Sequence, residues 1–245
     1  MNKPETFTPE SGRITEEQTL LQTGEAIRTL SHFIKNILQM VGGSAEIAHT
    51  AAQTGNSKGL EKSLALLVPN FERLRRTLLD LCEYSRIRPI EALPCSLKTL
   101  WEEAVADLPD VMKEKLPAIT LQTDSPMPAA YLDPDKIRRM FRHILIFLLD
   151  QKTDSISVEI RSQPQTPEWL ISFAWQGRLP ENPNNLFEPA EPKGAQWGTG
   201  LDLPLAARIL SQHQGHIEAV QEGKISLLRL YLPPQPFEKV DCTCL

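Results

Sequence analysis

The chain has 245 residues, a formal net charge of -5 and 41% hydrophobic residues. The acidic balance argues against a nucleic-acid surface, which needs a basic excess, and no apolar run approaches the roughly 18 to 20 residues of a membrane span. The four cysteines, Cys82, Cys95, Cys242 and Cys244, lack the spacing of a disulfide framework or a zinc site.

Residues 1–19 are polar and lack the basic start and apolar middle of a signal peptide, so a cytoplasmic location is expected. They are also too few for a sensor domain, so the input is expected from a partner. From Leu20 onward, Leu20, Thr23, Ile27, Leu30, Ile34, Ile37, Val41, Ser44, Ala48 and Ala51 step by three and four, the seam of a heptad helix. His32 falls at an f position on the open side of that helix. Thr54-Gly55-Asn56-Ser57-Lys58-Gly59 has the composition of a turn. A second series, Leu60, Leu64, Leu67, Phe71, Leu74, Leu78 and Leu81, follows it. Pro69 lies inside this second helix and is expected to bend it without ending it. The charged group Glu72, Arg73, Arg75 and Arg76 reads as solvated helix surface. Ala26, Phe33, Leu38, Leu66, Leu78 and Leu79 widen the apolar set beyond what one antiparallel hairpin buries, which points to a dimeric four-helix bundle.

Two prolines in Arg88-Pro89-Ile90-Glu91-Ala92-Leu93-Pro94 mark a linker. Ser96 is placed to cap a helix through Leu97, Leu100, Trp101, Ala104, Val105 and Leu108. Ile119 to Gln122 and Ala130 to Leu132 read as short strands, and Asp133-Pro134-Asp135 opens an apolar helix over 136–149. Ile156 to Ile160 and Trp169 to Trp175 alternate as hairpin strands around Pro164-Gln165-Thr166-Pro167. A helix over 201–212 and strands over 216–220 and 225–232 complete the pattern. Hairpin connections between strands give an α+β class with an α/β sandwich, not a doubly wound parallel sheet.

Four stretches in this order resemble the bacterial sensor histidine kinase family over about Leu20 to Pro234. Leu30-Ser31-His32 with Lys35-Asn36 looks like the H box, and Leu132-Asp133-Pro134-Asp135 looks like the start of the N-box helix. Asn185-Leu186-Phe187-Glu188-Pro189 looks like the F box, and Gly198-Thr199-Gly200-Leu201-Asp202-Leu203 looks like the G2 box. The resemblance implies a dimerisation and phosphoacceptor hairpin followed by an ATPase-type domain, with His32 as the phosphoacceptor. It also gives Asn36, one turn after His32, a role in removing the phosphoryl group.

Several positions depart from the family pattern. Phe33 stands where the family has an acidic residue after the histidine. Phe147 stands at the asparagine that binds magnesium, with His143 one turn earlier, and a phenyl ring offers no hard oxygen donor. Trp175, in Phe173-Ala174-Trp175-Gln176-Gly177-Arg178-Leu179-Pro180, stands at the aspartate that accepts from the adenine amine, and an indole has no acceptor. Gly198, Thr199 and Gly200 keep backbone donors for an anion and are the residual nucleotide loop, while Asp202 adds negative charge there.

From these residues, the expectation is a histidine-kinase-like protein with a degenerate ATP-binding domain. It would act as a phosphotransferase or phosphatase for response-regulator receiver domains through His32, as a homodimer, with an upstream kinase as a further partner. No cofactor of its own is expected, neither ATP nor magnesium, the magnesium coming from the receiver domain; no metal site, nucleic-acid partner or membrane partner is expected either. The alternatives are an active autophosphorylating kinase with an atypical ATP site, using Asp150 or Asp154 for magnesium, and a noncatalytic dimeric adaptor. The expected divisions are an N-terminal extension at 1–19, the hairpin at 20–88, a linker at 89–95, the ATPase-like domain at 96–234 and a tail at 235–245. His49, His143, His213 and His216 are expected to be structural or solvated, and Lys35 either meets an incoming phosphoaspartate or solvates its helix. The ending Cys242-Thr243-Cys244-Leu245 matches a prenylation signal only formally.

Overall fold

A computed structural model describes residues 16–86, 88–124, 129–163, 168–192 and 194–233. The 1–19 extension lies almost wholly outside the described residues, as do the 164–167 turn, Cys242, Cys244 and the 235–245 tail. The described residues form two compact units. One consists of the described part of Ile14–Ile87 together with Glu188–Pro204; the other consists of Arg88–Phe187 together with the described residues from Leu205 onward.

The first unit is built on an antiparallel hairpin of α1 (Glu16–Gln53) and α2 (Ser57–Tyr84). The chain reverses at Thr54 to Asn56, where Gly55 has φ +65 and the Asn56 side chain accepts from the Gly59 amide at 3.0 Å. Helix α2 runs through Pro69 as one helix. On α1 the inward residues are Thr23, Ala26, Leu30, Phe33, Ile37, Ser44, Ala48 and Ala51, all buried.

The seam on α2 is rotated from the expected one. Ser63, Leu74, Thr77, Asp80 and Tyr84 are buried, whereas Leu64, Phe71 and Leu78 are exposed. The hydroxyls of Ser63 and Thr77 can face inward here because the helix itself satisfies them. The Ser63 hydroxyl donates to Leu60 O at 2.8 Å and the Thr77 hydroxyl to Arg73 O at 2.9 Å. Leu20 and Ile27 on α1 are likewise exposed rather than in the seam. Of the residues expected to widen the apolar set, Ala26 and Phe33 are buried while Leu38, Leu66, Leu78 and Leu79 remain exposed.

In the second unit, β1 (Leu93–Cys95) pairs antiparallel with β3 (Ala130–Leu132), and a five-stranded sheet has the order β2-β4-β5-β7-β6. Its strands are β2 (Ala118–Thr123), β4 (Ser155–Gln163), β5 (Glu168–Gln176), β6 (His216–Glu222) and β7 (Ile225–Leu232). Among the described strands of this sheet only β2 and β4 run parallel; the remaining pairs are antiparallel, as expected of an α+β sandwich. The helices are α3 (Leu97–Ala106), the short α4 (Asp110–Lys113), α5 (Pro134–Asp150) and α6 (Asp202–Gln212), with a 3-10 helix at Pro183–Phe187. Ser96 caps α3 by accepting from Thr99 N at 3.3 Å, and Asp133 caps α5 by accepting from Lys136 N at 3.1 Å.

Alternation along β5 buries Trp169, Ile171, Phe173 and Trp175 on one face of the sheet. Phe173 meets Trp101 of α3 at 5.5 Å and Phe141 of α5 at 6.4 Å between ring centroids, and Trp101 and Phe141 are edge to face at 5.5 Å. This aromatic triad joins α3, α5 and the sheet.

Candidate functional site

His32 stands on the open side of α1 with its side chain 72% exposed. An imidazole reacts only where solvent or a partner reaches it, and this one is accessible. One turn later the Asn36 amide nitrogen lies 3.2 Å from His32 Nδ1, the i to i+4 neighbour relation of a helix face. Phe33, the next residue, turns inward and is buried, with the Arg73 guanidinium 4.7 Å from its ring centroid. The ring that takes the place of an acidic neighbour is therefore part of the hairpin seam and leaves the face of His32.

The segment Glu188–Pro204 packs on this hairpin through contacts that the sequence did not announce. Arg73, expected to be solvated, donates to Ala195 O at 2.7 Å. Glu191 brings a carboxylate oxygen to 3.7 Å from His32 Nδ1. Within Gly198-Thr199-Gly200, the Thr199 amide donates to Asp202 Oδ2 at 2.8 Å and the Thr199 hydroxyl to Asp80 Oδ2 at 2.7 Å. Asp202 thus caps the turn ahead of α6, with one carboxylate oxygen fixed on a backbone amide. Gly200 has φ +82, and a Cβ there would lie 1.8 Å from Ala190 O, so only glycine fits this crossing. The Ala190 amide donates back to Gly200 O at 3.2 Å, closing the segment on itself. The sequence did hold one signal for this docking: Asp80 is spaced three residues from Thr77 on the inward stripe of α2, an odd place for a carboxylate without a donor.

In the second unit, Phe147 of α5 and Trp175 of β5 meet edge to face, with ring centroids 6.0 Å apart. Trp175 is buried, and its indole Nε1 has no hydrogen-bond acceptor among the described residues. Beside it, the turn after β5 is held by Gln221. Its amide donates to Gly177 O at 3.3 Å and Ile225 O at 2.9 Å, and its carbonyl accepts from the Leu179 amide at 2.8 Å.

The other histidines divide as follows. His213 is fully buried: its Nδ1 donates to Ile209 O at 2.8 Å and its Nε2 accepts from the Asp133 amide at 3.0 Å. That pair of bonds fixes the neutral tautomer, and burial pulls its pKa below the usual histidine value. His216 stacks on Tyr231 at 4.4 Å between centroids, and burial, with the Glu218 carboxylate, pushes the Tyr231 phenol up to about 12. His143 is buried in α5, and His49 is exposed on α1 with Gln53 at 2.9 Å. No helix among the described residues is long and apolar enough to cross a membrane.

No protein-family model matches the chain. Among curated proteins it is 23% identical over 234 residues to the signal transduction histidine-protein kinase AtoS of Escherichia coli (strain K12), covering 91% of this chain and 37% of AtoS. It is 22% identical over 231 residues to the sensory histidine kinase/phosphatase NtrB of Rhodobacter capsulatus, covering 85% of this chain and 61% of NtrB. The fold matches histidine kinase ThkA, solved in complex with the response regulator TrrA, at a TM-score of 0.75 and 17% identity over 92% of this chain and 66% of that one. It also matches full-length ShkA, solved in complex with AMPPNP, at a TM-score of 0.53 and 18% identity over 89% of this chain and 46% of ShkA. A helical hairpin followed by an ATPase-type sandwich is the architecture the chain shares with these histidine kinase structures. In sequence and in fold the chain is similar to sensor histidine kinases. It spans 37% and 61% of the two curated relatives, so it corresponds to part of their length.

The expectation of no cofactor is overturned by these matches. The relatives are named as histidine kinases, and ShkA, a neighbour of the same fold, is solved with the nucleotide analogue AMPPNP, so the expectation of no nucleotide does not stand. What does stand out is local: neither Phe147 nor Trp175 carries an oxygen, so these two side chains do not fit magnesium or the adenine amine as an asparagine and an aspartate would.

Proposed function

We propose that this protein passes phosphoryl groups between His32 and the aspartate of a response-regulator receiver domain, and that Asn36 assists their removal by water. The observation that carries this reading is the exposed His32 imidazole with the Asn36 amide 3.2 Å from its Nδ1 on one helix face. Transfer between a histidine and an aspartyl phosphate needs an accessible nucleophile and correct positioning more than it needs covalent machinery. A response regulator is bound to ThkA, the neighbour with the same fold, which supports a receiver domain as the partner. The name of NtrB, a histidine kinase/phosphatase, supports a part for Asn36 in dephosphorylation. We assign the phosphoacceptor hairpin to 20–88 and the ATPase-like domain to 96–234.

Relay is favoured over self-phosphorylation by Phe147 and Trp175, whose rings meet where the family carries oxygen ligands. Dimerisation is supported by exposed Leu64, Phe71 and Leu78, spaced by sevens along α2 and unburied in a single chain. The test is to incubate the protein with labelled ATP and, separately, with a labelled phosphorylated receiver domain. Label at His32 from the receiver, absent in His32→Ala, is the expected result. Rapid label from ATP with none from the receiver would establish a self-phosphorylating kinase instead. Undiminished signalling by His32→Ala would establish an adaptor.

A further inference from the structure

The acceptor atom of a histidine is the ring nitrogen that keeps its lone pair, and the partner of the other nitrogen decides which one that is. Two groups converge on Nδ1 of His32: the Asn36 amide nitrogen at 3.2 Å, from the same helix, and the Glu191 carboxylate at 3.7 Å, from the Glu188–Pro204 segment of the same unit. They ask opposite things of the ring. An amide N–H at Nδ1 uses the lone pair there and leaves the proton on Nε2, which is then no nucleophile. A carboxylate at Nδ1 accepts a proton, holds Nδ1–H and frees the Nε2 lone pair toward solvent.

We infer that Glu191 is the positioning residue that sets the reactive tautomer of His32, supplying from a distant loop the carboxylate that Phe33 does not supply from the neighbouring position. This rests on reading His32 as the phosphoryl acceptor. Glu191 has the freedom to engage: its side chain is 34% exposed, and its carboxylate already stands 3.7 Å from His32 Nδ1. Its backbone does not have that freedom. On one side of it the Ala190 amide donates to Gly200 O, and on the other Ala195 O accepts from Arg73. In the transfer step, the Nε2 lone pair forms the N–P bond as the P–O bond to the receiver aspartate breaks, and that aspartate leaves as a carboxylate. The Nδ1 proton passes to the Glu191 carboxylate, which releases it to water, and the ring is left as neutral phosphoimidazole.

The experiment uses the full chain, labelled with 15N-histidine, and phosphoramidate as a small phosphoryl donor that needs no receiver. Nitrogen chemical shifts report the His32 tautomer, and mass spectrometry reports the rate of phosphorylation at His32, with exposed His49 as the internal control. Glu191→Gln is expected to shift the ring toward the Nε2–H tautomer and to slow phosphorylation at His32 about tenfold, leaving His49 unchanged. Glu191→Asp restores most of both, and Asn36→Ala raises the Nδ1–H fraction. An unchanged tautomer or an unchanged His32 rate in Glu191→Gln overturns the inference. A rate that depends on Glu191 with phosphoramidate, combined with no transfer from any phosphorylated receiver, keeps the inference and removes the proposed function.

Discussion

Thr199 gives its hydroxyl proton to the carboxylate of Asp80 across 2.7 Å, a buried contact between residues 119 positions apart. It is the innermost tie between the Glu188–Pro204 segment and the hairpin, and it places a charged acceptor in the interior with a designated donor.

Thr199→Val keeps the shape of the side chain and removes that donor. A hydrogen bond to a charged group contributes about 1.5–3 kcal/mol, so amides of the 188–204 segment are expected to exchange roughly ten to a hundred times faster. Helix α1 keeps its protection. Hydrogen exchange followed by mass spectrometry separates the two, and unchanged exchange in the segment would show that Thr199 does not hold it.

The exposed stripe of Leu64, Phe71 and Leu78 gives a second prediction. Each such side chain contributes about 1.5–3 kcal/mol when it is covered, and a carboxylate in its place loses that and adds a desolvation cost. Phe71→Glu is expected to weaken self-association at least tenfold without loss of helix content. Sedimentation over a concentration series, alongside circular dichroism, measures both.

The third concerns acid. His213 binds as a neutral ring, with its proton on Nδ1 and its Nε2 receiving the Asp133 amide, and burial holds its pKa below the ordinary histidine value of 6.5. A proton added to Nε2 would face another donor. Below pH 6.5 the unfolded chain takes up that proton more readily than the folded one, so the contribution of His213 is fully present above 6.5 and is lost as pH falls toward the folded value. Thermal unfolding of the wild type should lose stability between pH 7.5 and 5.5. His213→Gln, less stable at neutral pH, should lose less over the same interval.

Local signals carried most of the fold. Ser96 and Asp133 announce helix starts because a side-chain oxygen beside an apolar period has an evident use there. Alternation in Trp169 to Trp175 announces a half-buried strand. Periodicity could not orient α2, since Leu64, Phe71 and Leu78 and the inward set with Leu74 are both apolar stripes on one cylinder. Nothing in the sequence says which stripe meets α1, and Ser63 and Thr77 conceal the answer by satisfying their hydroxyls on their own helix. The site divides the same way. His32 and Asn36 are visible because they lie on one helix four residues apart, whereas Arg73 and Asp80 on the hairpin and Glu191 in the 188–204 segment acquire their parts through contacts between residues more than a hundred positions apart. On the nucleotide side, Phe147 and Trp175 bear on two contacts alone, the magnesium ligand and the adenine amine, and the rest of a nucleotide is held by other groups.

The sheet order puts β6 at an open margin, where unpaired amides and carbonyls invite a strand from another molecule. The 3-10 helix Pro183–Phe187 lies against β6, and the strand carries carboxylates at Glu218 and Glu222, both within reach of Arg229 on β7. The stretch whose residues resemble an F box thus also covers part of that margin: a variant that unwinds Asn185 to Phe187 is expected to expose a pairing edge and to be lost to insoluble protein before any assay of phosphoryl transfer could be read.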